Sequence, residues 1–405
     1  MSIPELMGQV LFLSGMALLG ILISRLLRLE LTLSCVLAGV LTGLALPLLG
    51  FDTGIRASNL HDLVFFVMLP VLIFEAAWKT EPAMLKRWLG PLMMLSTFGV
   101  LISCSVVAIG LYYAIDHPAG FPWIAAVLTG AILAATDPIS VSAKLETLNA
   151  PEDLKTLFEG ESLFNDATTV VLYGLVVAVA TNAQAVGVSD SLANFLMVFF
   201  GGIFLGAGMG LLAAIVILLN ASLSMGRAAG SMVLVLLTFS SFYVAEHSLH
   251  VSGIMAVTAA ALTARFCLRE HETSVLAGAT ETWQWLGLYF VSLIFALLGL
   301  VVSWDMFIHQ WVAILYAIAA CLLGRTLAVW LCGLGSRGFT YPICSQWQPL
   351  LIWGGLKGPI AIVLVLSLPG SLPYWWTIQS MVFGVVLFSL LIQGTTTTPL
   401  IRRSL

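Results

Sequence analysis

Apolar runs of about twenty residues, the length a helix needs to cross a bilayer, recur from one end of this chain to the other. Charge is nearly absent from them. Of the 405 residues 60% are hydrophobic and 9% charged, where ordinary soluble domains carry about 25% charged residues. Runs of this kind bury their side chains against lipid and one another. In lipid every backbone polar group must be satisfied within the protein, which leaves helices or closed barrels. The period-two alternation of a barrel is absent. The expected fold class is an all-α polytopic membrane protein.

Hydropathy divides the chain into about thirteen spans, at 6–24, 31–49, 61–78, 89–113, 121–143, 156–181, 194–220, 229–246, 251–268, 281–303, 307–334, 347–368 and 374–399. The first run is read as a retained span, since no small-residue cleavage site follows it. Positive residues test this map. With the N-terminus outside and the C-terminus cytoplasmic, only Arg56 of the sixteen lysines and arginines falls in an outer loop. Arg325 and Lys357 lie within spans, and all the others fall on the inner side, as the positive-inside rule requires. The net charge of −4 decides less than these positions. The six cysteines show neither zinc nor disulfide spacing and read as small core residues. His61, His117, His247, His250 and His309 map to outer ends. Little polypeptide remains between spans, so no soluble catalytic domain is expected within this sequence.

Placing a charge at mid-bilayer costs at least ~2.5–3.5 kcal/mol, so each intramembrane charge is a functional candidate. These are Glu75, Asp137, Glu161, Asp166, Arg325 and Lys357, with Glu159 at a border. The stretch FEGESLFNDATT, residues 158–169, holds the densest group. Residues four apart share a helix face, which aligns Ser162 with Asp166 and Glu161 with Asn165. Glu161 and Asp166 stand roughly 140° apart around the helix and have separate roles. Glu161 needs a cation, and Arg325 is the only arginine within a span. A structural ion pair is the reading favoured for them.

Two spans carry breaks. In ATDPISVSAKL Pro138 follows Asp137, and proline removes a helical donor and clashes with the preceding turn. Thr136, Asp137 and Ser140 cluster there, although a simple proline kink is the plainer reading. WGGLKGPIA, residues 353–361, repeats the pattern in the other half. Paired interrupted helices are the best sequence pointer to a secondary-transporter site. Asp137 and Lys357 then compensate the partial charges of the helix ends at the crossing. Whether either touches the transported ion is left open. Glu75 fits two readings, a carboxylate reaching the interface like Lys79 or one beside the ion path.

Carboxylates, hydroxyls and freed carbonyls form a hard oxygen site that suits a monovalent cation. An apolar setting disfavours a carboxylate's charged form, so one such group holds a proton or a cation in turn. Competition at Asp166 is the minimal machine for cation/proton exchange. Moving the empty, charged site across the membrane is penalised, which couples the two fluxes.

FEGESLFNDATTVVLY resembles the sixth helix of the sodium/proton antiporters, in the NhaP/NHE-type branch of the monovalent cation:proton antiporters. ATDPISVSA, LIFEAAW, GRTLAVWL and WGGLKGPIA match the same branch in order. The resemblance implies thirteen helices, inverted repeats and two crossing broken helices. It implies a core transport bundle from 87–182 and 306–405, and an interface bundle from 1–86 and 183–305 that forms a homodimer. The resemblance further implies that the core moves in an elevator-like manner, that Asp166 carries the ion and the proton, that Asn165 and Asp137 support it, that Thr136 and Ser162 supply oxygens, and that Glu75 lies near the ion. The Asn165–Asp166 pair implies electroneutral exchange of one Na⁺ (or Li⁺) per H⁺ in the cell membrane. Membrane lipid is the expected surrounding, with no cofactor and no nucleic acid. Lys357 departs from the arginine usual in this branch and lacks its bidentate fork. Two other readings are a K⁺-preferring exchanger on the same scaffold and an intramembrane aspartyl protease using Asp137 and Asp166. No protease motif surrounds either aspartate.

Overall fold

A computed structural model of the chain describes residues 3–49, 63–115, 121–181, 188–222, 227–269, 275–370, 372 and 374–404. Arg56, His61 and His117 lie outside them. The first half contains α1 (Ile3–Leu27), α2 (Leu31–Leu49), α3 (Leu69–Lys79), α4 (Pro82–Met94), α5 (Val100–Ala114), α6 (Trp123–Ala134), α7 (Ile139–Thr147), α8 (Glu152–Thr181) and α9 (Val188–Ser222). The second half contains α10 (Arg227–Tyr243), α11 (Gly253–Leu268), α12 (Val275–Val301), α13 (Trp304–Gly335), α14 (Gln348–Trp353), α15 (Pro359–Leu366), α16 (Trp375–Phe388) and α17 (Thr395–Ser404). Wide π-helical turns at Leu63–Met68, Leu95–Gly99, Val244–Leu249 and Ser389–Gly394 lead into α3, join α4 to α5, extend α10 and join α16 to α17.

Among the described residues eight helical runs are long and apolar enough to cross a membrane, and three shorter apolar helices accompany them. Each expected span overlaps a helix or a broken pair of helices. The ends differ by several residues where hydropathy is a poor guide. The fourth helical run starts at Pro82, not residue 89, because proline suits a first helical position. Leu26, Phe204, Met232 and Leu236 are exposed, a surface fitted to hydrocarbon rather than water. The cysteines are all free, and Cys35, Cys104, Cys321 and Cys332 are buried.

Helices α1 and α2 lie on α12, α9 runs along α11, and α3 lies against both α11 and α12. Elsewhere α5, α6, α13 and α16 pack together, with α8 against α6. Two helices are interrupted where the sequence places Pro138 and Pro359. After α6 the chain runs non-helically and resumes as α7, and after α14 it does the same before α15. The interruptions meet in the one isolated bridge among the described residues, where Asp137 N donates to Leu356 O at 2.8 Å. Each break thus gives the other a backbone partner that its own helix withdraws.

Gly358 makes this approach possible. A Cβ there would stand 2.1 Å from Asp137 Cβ and 2.5 Å from its Cγ. These atoms belong to the stem of the side chain and cannot swing aside. Gly358→Ala is expected to lower stability by about 1–3 kcal/mol through overpacking. Thermal unfolding in detergent checks this, and a wild-type midpoint would show that the crossing has slack.

Candidate functional site

Helix α8 follows Pro151 and opens with Glu152 and Asp153, negative charges at the positive end of a helix. Its period turns Glu159, Ser162 and Asp166 to one side. All three line a cavity of about 450 Å³, together with Glu75 from α3 and Asp137 from the crossing. Lys79, Glu146 and Lys155 also line it, and Lys79 and Glu146 are exposed. The cavity therefore opens at the end that carries these charges.

Asp166 is sparsely partnered. Ser162 has one hydroxyl proton, and Ser162 Oγ lies 2.6 Å from Thr136 O but 3.4 Å from Asp166 Oδ2. Asp166 Oδ1 is buried and finds no hydrogen-bond partner among the described residues. Leaving such an acceptor unsatisfied costs about 1–3 kcal/mol, and more for a charged group. A proton or a bare cation relieves that cost directly.

Asn165 and Thr136 stand behind this surface and do not line the cavity. Asn165 Nδ2 donates to Ala134 O and to Thr136 Oγ1, each at 3.0 Å, and Asn165 Oδ1 accepts from Thr169 Oγ1 at 2.9 Å. The asparagine thus fastens α8 to the broken end of α6. Thr136 spends its carbonyl on Ser162 and its hydroxyl on Asn165.

The crossing is charge-compensated end by end. Asp137 Oδ1 accepts from Ile139 N at 3.2 Å, placing a carboxylate at the start of α7. Lys357 Nζ donates to Ala135 O at 3.1 Å, placing an ammonium just beyond the end of α6. A single point donor suffices at that carbonyl, so the bidentate fork of an arginine is not required there. Lys357 N also donates to Ser389 Oγ at 2.8 Å, in the π-helical turn before α17. Arg325, from α13, donates from Nη2 to Glu161 Oε2 at 2.8 Å, and its Nη1 bonds Glu161 Oε1. Arg325 Nε and Nη2 also donate to Leu351 O at 2.9 and 2.8 Å, near the end of α14. One guanidinium holds a carboxylate of α8 and a carbonyl of a broken helix together.

Glu75 is buried, and Lys79 pairs with it from the next turn while occupying the exposed position. Glu159, at the border of its span by sequence, lines the cavity, a position its spacing of three and seven residues from Ser162 and Asp166 already contains. Gln284, on α12, lines the same space. A further junction carried no sequence signal. Glu30, between α1 and α2, bonds Ser140 and lies 3.5 Å from Lys144, whose ammonium also reaches Gly394 O.

The profile of the family described as "Sodium/hydrogen exchanger, transmembrane" matches residues 13–403. The chain is 34% identical over 355 residues to the Na(+)/H(+) antiporter ApNhaP of Aphanothece halophytica, covering 86% of this chain and 66% of that protein. It therefore spans about two thirds of the length of that relative. It is 30% identical over 407 residues to the Na(+)/H(+) antiporter NhaH of Halobacillus dabanensis, covering 98% of this chain and 97% of that one. The fold is similar to the sodium proton antiporter MjNhaP1 of Methanocaldococcus jannaschii at pH 8, with a TM-score of 0.80 at 20% identity over 98% of this chain and 99% of that chain. With a profile match across nearly its whole length, a cavity lined by Asp166 and two interrupted helices joined at their breaks, the chain belongs to the sodium/hydrogen exchanger family.

Proposed function

We propose that this protein exchanges Na⁺ (or Li⁺) for H⁺ across the cell membrane, one cation per proton, with Asp166 as the shared carrier. The buried, unpartnered Oδ1 of Asp166, a residue on the wall of a cavity shared with Glu75, Asp137 and Glu159, carries this reading. Ser162 lies on the same wall, Asp137 sets the field at the crossing, and Glu75 adds a second carboxylate facing the ion. Asn165 and Thr136 act as braces in this conformation. A single carrying carboxylate beside a neutral asparagine supports electroneutral exchange. In the thirteen-span arrangement with the N-terminus outside, the cavity faces the cytoplasm, since Lys79 and Lys155 lie at its mouth. Residues 87–182 and 306–405 form the moving core, and residues 1–86 and 183–305 form the interface bundle of a homodimer.

Reconstitution into liposomes tests the function. With an imposed pH gradient, added Na⁺ or Li⁺ is expected to dissipate it, K⁺ much less so, and clamping the membrane potential is expected to leave the rate unchanged. A response to K⁺ equal to that to Na⁺ would establish the potassium-preferring reading instead. A strong dependence on potential would end the one-for-one stoichiometry.

A further inference from the structure

Glu75 is held by Lys79 on its own helix and fits against the helix across from it. Helices α3 and α12 are clamped by aromatic contacts around this carboxylate. The rings of Phe74 and Trp283 lie 4.2 Å apart, Phe74 stacks on Trp78 at 5.6 Å, and Trp78 Nε1 donates to Thr280 Oγ1 at 3.3 Å. Phe74, Trp78 and Trp283 are all fully buried. Thr280, Trp283 and Gly287 follow one another at three- and four-residue steps, so they form one stripe of α12 against α3. The stripe ends in a notch, and the Glu75 side chain lies in it. A Cβ at position 287 would stand 2.8 Å from both Cγ and Cδ of Glu75 and 3.1 Å from its Oε1.

We propose that Gly287 is a positioning residue that seats the Glu75 carboxylate and thereby sets the affinity for the transported cation. Gly287 does not line the cavity, so it acts only through Glu75. A mid-helix glycine is less stable than alanine, and here the missing methyl leaves room for the carboxylate. Two packed helices locked by buried aromatic rings do not part for one methyl group, because interiors of this density have few voids to absorb it. Rotation of the Glu75 side chain is the easier response. A methyl at position 287 therefore moves the carboxylate, while alanine supports the helix better than glycine does.

The inference rests on the reading of Glu75 as an ion-facing group, and the test separates the two. Na⁺ titrations in proteoliposomes compare wild type, Gly287→Ala, Glu75→Ala and the double variant, each with its thermal unfolding midpoint. Gly287→Ala is expected to raise the apparent KM for Na⁺ about three- to tenfold, below the roughly 10²-fold that a full 1 Å misplacement can cost, with a smaller change in maximal rate. Glu75→Ala is expected to raise KM as well, and the double variant to be no worse than Glu75→Ala alone. If Glu75→Ala raises KM and Gly287→Ala does not, or if the two effects add, the role of Gly287 is overturned. If Glu75→Ala leaves KM unchanged, the assignment of Glu75 itself fails. Should Gly287→Ala not fold, the notch requires that the double variant does, because the obstructing side chain is gone. Failure of both to fold overturns the proposal.

Discussion

Asp166→Asn is expected to abolish exchange while leaving a folded protein. In proteoliposomes the Na⁺-driven collapse of a pH gradient should fall to the rate of protein-free vesicles. The amide keeps the size and planarity of the carboxylate but holds neither a transferable proton nor a negative charge for a cation. Nothing in the fold needs the charge. Its nearest hydroxyl, Ser162 Oγ, has the closer Thr136 O within its reach, and Oδ1 finds no partner among the described residues. An unsatisfied buried group costs more when charged than when neutral, so the thermal midpoint of the variant should equal or exceed that of the wild type. Retained Na⁺/H⁺ exchange in this variant would remove Asp166 from the carrier role. A lowered midpoint with lost exchange would mean that the residue holds the structure together instead.

Glu161 and Arg325 should behave in the opposite way. Replacing either one alone leaves its partner charged and buried, which typically costs about 3–5 kcal/mol. That is a large part of the about 5–15 kcal/mol by which folded proteins are stable. Glu161→Ala and Arg325→Ala are each expected to reduce folded, monodisperse protein severely in detergent chromatography. Sequence spacing alone invites a charge swap as the rescue. The structure argues against it, because a glutamate at position 325 would face the Leu351 carbonyl that two arginine donors now satisfy. The neutral pair Glu161→Met with Arg325→Met should recover more folded protein than the swap does. A wild-type thermal midpoint in either single variant would refute the pairing.

The helical period carries most of what the sequence makes legible. It separates Glu161 from Asp166, sets Ser162 beside Asp166, and leaves Arg325 as the arginine available to Glu161. The prolines mark the two interruptions, because a missing donor is a local fact. Other features depend on which helices become neighbours. Glu30, Lys144 and Gly394 come from three distant segments, and no pattern within any of them announces the junction. Thr136 is legible as an oxygen donor but not as one already engaged by Asn165 and Ser162. Gly287 is invisible for the same reason, since its role is the absence of an atom opposite a residue about two hundred positions away. The π-helical turn at Ser389–Gly394 also lacks a composition of its own, yet Ser389 at its start anchors the Lys357 backbone.

The single rung between Asp137 and Leu356 also bears on how the chain is made. Its two halves are roughly 220 residues apart, and ribosomes add ~5–20 residues per second. The amide of Asp137 is therefore synthesised about 10–45 s before the carbonyl that will accept it exists. During that interval an interrupted helix lies in the nascent protein with the Asp137 amide and the Ala135 carbonyl still to be matched. Water or the insertion machinery must shelter them, since lipid does not. The candidate site is thus among the last parts of the molecule to be completed. Chains truncated before Leu356 should be held by quality control rather than settle as stable half-proteins.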